Sequence, residues 1–247
     1  MPQQRPTAPP QLDSELGLRP AGERGLSRTD WLDSKHSFSF GGYMDPRWMG
    51  FGPLRVINDD RIAPGSGFPE HGHRNMEILT LVLAGALEHR DSTGGGGVLR
   101  PGSAQLMSAG RGIQHSEFNA SDREPARFLQ IWLEPTHLGQ EPRYHERDFG
   151  AADRGTWCLV ASPESELSSL PLGVDARIHT AQLEAGGRLG YELASGRRLW
   201  LQVASGSVTV GDRHLGEGDG LFSRGLGGMG LELTAQTPAK LVLFDLG

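Results

Sequence analysis

Gly65-Ser66-Gly67-Phe68-Pro69-Glu70-His71-Gly72-His73 and, further along, Gly112-Ile113-Gln114-His115-Ser116-Glu117 are the two stretches on which the reading of this chain turns. In an extended strand, residues i and i+2 point to the same side, so each stretch presents two metal donors to one face: His71 with His73, and His115 with Glu117. A single His-x-His has a bland explanation in surface or hydrogen-bonded histidines. Two such pairs in one strand-rich segment point instead to a shared ion. Three neutral imidazoles and a carboxylate suit iron, nickel, copper or zinc, and on a six-coordinate ion they leave two positions open for substrate and oxygen.

The surroundings read as all-β. Strand candidates run over Leu54–Ile57, Arg61–Ala63, Met76–Leu83, Ala86–His89, Ala104–Met107, Ile113–Phe118 and Arg127–Leu133, with turn signals between them such as Pro64-Gly65-Ser66-Gly67 and the glycines Gly94 to Gly97. No convincing helix interrupts them, and regular spacing with Gly and Pro punctuation marks an antiparallel sandwich or barrel. After a polar stretch from Glu134 to Gly155, strands resume at Trp157–Ala161, Arg177–Leu183, Leu199–Val203, Val208–Val210, Leu231–Thr234 and Leu241–Phe244.

The halves look like copies. Leu81-Val82-Leu83-Ala84-Gly85 resembles Leu201-Gln202-Val203-Ala204-Ser205-Gly206, and Leu99-Arg100-Pro101-Gly102 resembles Leu215-Gly216-Glu217-Gly218, as a duplicated barrel requires. Where the first copy has its two histidines the second has Gly190-Tyr191-Glu192-Leu193, without a ligand cluster. Residues 1–24, rich in Pro and Gln, cannot bury enough apolar surface to offset ordering, and are expected as a flexible tail. The expected division is therefore this tail, a metal-binding barrel over 25–140 and a metal-free barrel over 141–247.

If the strand after Gly67 continues unbroken, His71, His73, Glu77, Leu79, Leu81 and Leu83 share a face, with donors at one end of the barrel and apolar walls below. His89, in the polar run Glu88-His89-Arg90-Asp91, reads as a solvated strand end; His36, His137, His145, His179 and His214 read as packing or surface residues.

A net charge of -6, with 24 Lys and Arg against 30 Asp and Glu and no basic cluster, argues against a nucleic-acid partner. Cys158 is the single cysteine, which rules out an intrachain disulfide. With no apolar run long enough for a membrane span, the expectation is a cytoplasmic monomer without membrane contact.

Several motifs together resemble the pirin family of bicupins: Trp31-Leu32-Asp33-Ser34, His36-Ser37-Phe38-Ser39-Phe40, Met49-Gly50-Phe51-Gly52-Pro53-Leu54-Arg55-Val56, Leu87-Glu88-His89-Arg90-Asp91-Ser92 and Ser108-Ala109-Gly110-Arg111-Gly112-Ile113. The resemblance covers residues 20 to 247, strongly in the first half and diffusely in the second. It implies two tandem cupin (jelly-roll β-barrel) domains and one metal in the first, held by His71, His73, His115 and Glu117. Iron is the expected ion, with nickel, zinc or copper as alternatives. Glu77 matches the carboxylate ligand of cupins in general, but in pirins the glutamate two residues after the third histidine takes that place, so Glu117 is assigned as ligand and as catalytic base. The implied activity is that of a quercetin 2,3-dioxygenase, acting on a flavonol with O2. Pirins are also coregulators, so the resemblance leaves open a non-catalytic, redox-sensing regulator acting through a protein partner.

Overall fold

In the computed structural model, which describes residues 16–163, 169–225 and 228–247, almost all regular structure is strand. The first half holds β1 (Leu16–Arg19), β2 (Gly25–Arg28), β3 (Leu32–His36), β4 (Leu54–Ile62), β5 (Gly67–His73), β6 (Glu77–Ala84), β7 (Leu87–Asp91), β8 (Gly96–Leu99), β9 (Ser103–Ser108), β10 (Ile113–Asn119), β11 (Ala126–Leu133) and β12 (Arg143–Asp148). The second half holds β13 (Cys158–Ser162), β14 (Leu170–Pro171), β15 (Ala176–Leu183), β16 (Arg188–Leu193), β17 (Arg198–Ser205), β18 (Ser207–Val210), β19 (Arg213–Gly216), β20 (Gly220–Ser223), β21 (Met229–Ala235) and β22 (Ala239–Leu246). Among the described residues, no helix is long and apolar enough to cross a membrane.

Each half is a two-sheet barrel, and the sheet orders coincide. The larger sheets run β12-β9-β6-β11-β4-β3-β2 and β1-β20-β17-β22-β15-β13-β14, and the smaller ones β5-β10-β7-β8 and β16-β21-β18-β19. The glycine turns seen in the sequence anchor the equivalence. Gly85 (φ 73°) and Gly206 (φ 76°) both have left-handed backbones, and a Cβ on either would lie 2.5 or 2.1 Å from the carbonyl oxygen of Pro125 or Pro238. Only glycine fits both the angle and the approach.

Two boundaries differ from those expected. Residues 16–24, assigned to a tail, are ordered: Leu16 pairs with Ser223 and Arg19 with Gly220, so β1 is an edge strand of the second barrel's larger sheet. Composition missed this because the partner strand is about 200 residues away. The guanidinium of Arg19 is fully buried, 4.7 Å above the ring of Trp48, with Nε donating to the Ser37 carbonyl at 3.1 Å. Residues 1–15, also assigned to the tail, lie outside the described residues. The boundary after residue 140 is likewise too early, because Arg143–Asp148 pairs in register with Ser108–Ser103 of the first barrel. Its charges mark an exposed edge strand, which charge protects from further pairing, and not a linker.

The outer faces of the two larger sheets pack on each other. Leu79, Leu81, Leu106, Leu129 and Ile131 from the first barrel meet Ile178, Trp200, Val242 and Phe244 from the second in one buried core. The aromatic stretch between Trp31 and Pro53 contributes Phe38 and Phe51 to it. This arrangement corrects the expected inner face. β5 ends at His73 and β6 starts at Glu77, with Asn75 at φ 52° between, so the alternation is not carried through. Leu79 and Leu81 point out to the other barrel, while Thr80 and Val82 point in. Glu77 also leaves the inner face: its Oε2 accepts from Ser108 at 2.8 Å, and it lines a small cleft with Arg143 of β12 and Gly173 between β14 and β15.

Candidate metal centre

The interior of the first barrel is layered. Ile62, Val82, Leu87, Leu99, Ala126 and Phe128 fill its closed end, and Ile78, Met107 and Ile113 with Met76 and Trp132 lie toward the mouth. Between them sits a buried polar layer: Thr80, Gln105, Glu117 and Gln130, with His89, His115, Asn58 and Asp60. Pairing registers identify the positions that correspond in the second barrel. Thr80 pairs with Gln105 and Gln130, whereas Leu201 pairs with Leu221 and Leu243. Glu117 pairs with His89, whereas Leu233 pairs with Val210. One duplicated scaffold thus carries an apolar interior in one copy and a polar one in the other. Burying polar groups costs free energy unless they are bonded, and the second barrel shows that the scaffold closes without such a layer.

β5 and β10 run antiparallel with His71 opposite His115. The Nε2 atoms of these two residues are 3.1 Å apart, and the ring of His73 lies 4.8 Å from each of theirs. His71 Nδ1 is 2.8 Å from the Pro69 carbonyl, which only accepts, so Nδ1 carries the proton and Nε2 is bare. His73 Nε2 is buried and has no hydrogen-bond partner. Donor atoms of His71, His73 and His115 all lie within 4.8 Å of one another, and so do those of His89, His115 and Glu117. Of the four residues expected as ligands, His71, His73 and His115 thus come together directly, while Glu117 is grouped with His115 and with His89, which was not expected. A register shift between His115 and Glu117 turns the carboxylate deeper into the barrel, where Oε1 accepts from Gln105 at 2.9 Å and Oε2 from Gln130 at 2.7 Å.

Converging imidazole nitrogens, one of them without any partner, together with a carboxylate behind them, form a donor set that fits a divalent transition ion. The electrostatics agree. Burial pushes His73 down to about 4, and burial with the neighbouring His71 pushes His115 down to about 2, so both rings are neutral at ordinary pH, as ligation needs. Burial also pushes the Glu117 carboxyl up, against the opposing pull of the Gln130 amide.

These shifts carry a testable consequence for the metal-depleted chain. His73 and His179 both titrate at about 4 when folded, against 6.5 for an unperturbed histidine. The unfolded chain therefore takes up protons first as pH falls below that value, and the stability present above it is lost progressively toward about 4. In chelator-treated protein the urea midpoint is expected to fall over this window. His179→Asn, in the second barrel and away from the metal donors, is expected to flatten the fall; an unchanged slope contradicts the assignment.

Beside the histidines opens a cavity of about 360 Å³. Phe40, Trp132, Phe68 and Leu32 give it apolar walls, and Ser34, His36, Asn58, Asp60 and Gln130 a polar side. His36 was expected as an ordinary packing residue; its Nδ1 is 2.7 Å from Asn58 Oδ1 and its Nε2 2.8 Å from Ser27 Oγ. His89, expected as a solvated strand end, is fully buried, with Nε2 3.0 Å from Asp91. Its spacing of two from Asp91 was the available signal, since both then face inward. Gln130 between Leu129 and Ile131, and Thr80 between Leu79 and Leu81, carry a similar signal: a polar residue inside an apolar strand. In the second barrel, Tyr191 donates to Asp245 at 2.8 Å and Arg197 binds the same carboxylate, so these groups satisfy one another. Among the described residues, no group of three metal donors occurs in that barrel.

Comparison with known proteins agrees with this architecture. The pirin family model matches residues 19–133, and that of the quercetinase C-terminal cupin domain matches residues 159–246. The quercetin 2,3-dioxygenase of Escherichia coli K12 is 42% identical over 229 residues, covering 93% of this chain and 97% of that protein. A pirin-like protein of Caulobacter vibrioides is 41% identical over 93% of this chain and 99% of its own. The crystal structure of the bacterial pirin YhhW from Escherichia coli in complex with nickel(II) superposes with a TM-score of 0.86 at 40% identity, covering 94% of this chain and 98% of that one. The match over nearly the full length of these relatives, on the same pair of cupin barrels, shows that the chain belongs to the pirin family.

Proposed function

We propose that this protein is a metal-dependent dioxygenase that opens the central ring of a flavonol such as quercetin with O2, releasing carbon monoxide. The observation that carries the reading is the pair of imidazoles, His71 and His73, on the wall of an aromatic-lined cavity, with His115 and the buried carboxylate of Glu117 behind them. His71, His73, His115 and Glu117 would hold one divalent ion, and iron is the ion we propose, since imidazoles and one carboxylate with open positions suit oxygen chemistry. That ion would supply Lewis acidity, lowering the pKa of a bound hydroxyl and orienting the reactants.

The chain's own groups do the rest. Glu117 takes the proton of the flavonol 3-hydroxyl; burial raises the basicity of its carboxylate, which suits it to that task. Gln105 and Gln130 fix its orientation through the two hydrogen bonds described above. Phe40 and Trp132, edge to face at 5.3 Å, form a wall against which a flat aromatic ring packs and from which water is excluded. Asn58, Ser34 and Asp60 give the outer hydroxyls of a polyphenol hydrogen-bonding partners.

Oxygen uptake and carbon monoxide release with quercetin, measured on iron- and nickel-reconstituted protein, test this reading directly. Stoichiometric use of flavonol and oxygen is expected. A protein that holds either metal and consumes no oxygen with any flavonol would exclude it.

A further inference from the structure

His115 has two ring nitrogens, and a metal can use only one that is free of its proton. Its Nε2 faces Nε2 of His71 at 3.1 Å, on the side where the His73 ring converges. Its Nδ1 faces the other way, 3.5 Å from Nδ1 of His89. Beyond that, Nε2 of His89 lies 3.0 Å from Oδ2 of Asp91, and both side chains are wholly buried. The carboxylate is itself anchored, because its Oδ1 accepts from the backbone N–H of Thr93 at 2.7 Å and of Gly95 at 3.2 Å. Tyr144 lies flat against His89, with centroids 4.6 Å apart and planes 6° from parallel, and so holds that ring in place.

The proton positions follow from the carboxylate end. A carboxylate only accepts, so His89 must carry its proton on Nε2. A neutral imidazole has one N–H, so His89 Nδ1 is bare and can only accept. A proton on His115 Nδ1 meets that acceptor and leaves Nε2 bare on the side where the histidines converge, whereas a proton on Nε2 would point at His71 Nε2 and leave two bare Nδ1 atoms facing each other. At the matching position of the second barrel, where the polar layer is missing, His89 is replaced by Val210.

We propose that Asp91 and His89 are positioning residues that lock His115 in the tautomer with a bare Nε2, through two successive hydrogen bonds, and thereby set the metal affinity of the first barrel. This rests on the metal reading above. Outer partners that fix a ligand's tautomer typically change metal affinity 10–100-fold when lost.

Asp91→Asn tests the relay at constant size. The asparagine oxygen keeps the Thr93 and Gly95 bonds, which places its NH2 group against His89 Nε2. His89 must then accept there and donate from Nδ1, and His115 must move its proton to Nε2, where a metal would bind. The expected result is a loss of roughly 10–100-fold in nickel(II) affinity, read by competition with a chromophoric chelator. Nitrogen-15 NMR of the metal-free chain is expected to show the His115 proton on Nδ1 in wild type and on Nε2 in the variant, a change that a mere packing role would not produce. Asp91→Asn binding nickel(II) as tightly as wild type, or a wild-type His115 protonated on Nε2, would overturn the proposal. A wild-type chain that takes up no nickel(II) would remove the metal reading, while the NMR tautomers would still decide the relay.

Discussion

Trp200→Ala is expected to destabilise the protein by about 3–5 kcal/mol, the range for emptying a large aromatic from a packed core. Trp200 is fully buried between the barrels. Its ring meets Phe38 at 4.8 Å, Phe51 at 5.6 Å and Phe222, stacked, at 5.6 Å, so the cavity is lined by the segment that joins β3 to β4 and by β20 of the second barrel. Side chains fixed on two separate elements cannot all collapse into the space. Chemical denaturation of wild type and variant reads the difference in midpoint. A loss under about 1 kcal/mol, the scale of a well-tolerated core swap, would mean that the barrels do not depend on this contact.

Glu117→Gln is expected to lower flavonol-dependent oxygen uptake by about 10²–10⁴-fold at metal saturation, the usual contribution of a positioned base. The substitution keeps size and shape but takes away the negative charge and one acceptor. Gln105 and Gln130 both present amide donors to the carboxylate, and their own oxygens are engaged by Tyr144 and Trp132, so neither can turn over to accommodate a new NH2 group. One donor is then left facing another inside the barrel. Turnover within a factor of about two of wild type would remove Glu117 from the chemistry.

Much of this architecture was legible in the chain itself. Alternation and glycine turns mark the strands, and the repeat around Gly85 and Gly206 announces two copies whose sheet orders are the same. His71, His73, His115 and Glu117 stand out because spacing of two on a strand is a local property. What the sequence hid depends on distant partners. β1 reads as tail because the strand that completes it lies at the other end of the chain, and β12 reads as linker because an edge strand and a linker are both charged. The inner face of β6 was assigned with the wrong parity because the break at Asn75 resets the alternation. Thr80, Gln105 and Gln130 become visible as a layer only when the registers of β6, β9 and β11 are set side by side with the leucines of the second barrel.

One scaffold in two copies, with the polar interior and the clustered donors in the first copy alone among the described residues, implies a single metal centre. Elemental analysis of protein purified without a metal-affinity tag tests it most directly, with His71→Ala measured alongside. One equivalent of a divalent transition metal per wild-type chain and none in the variant is the expected result. Absence of metal from wild type even after reconstitution, or a full equivalent retained by His71→Ala, would contradict it.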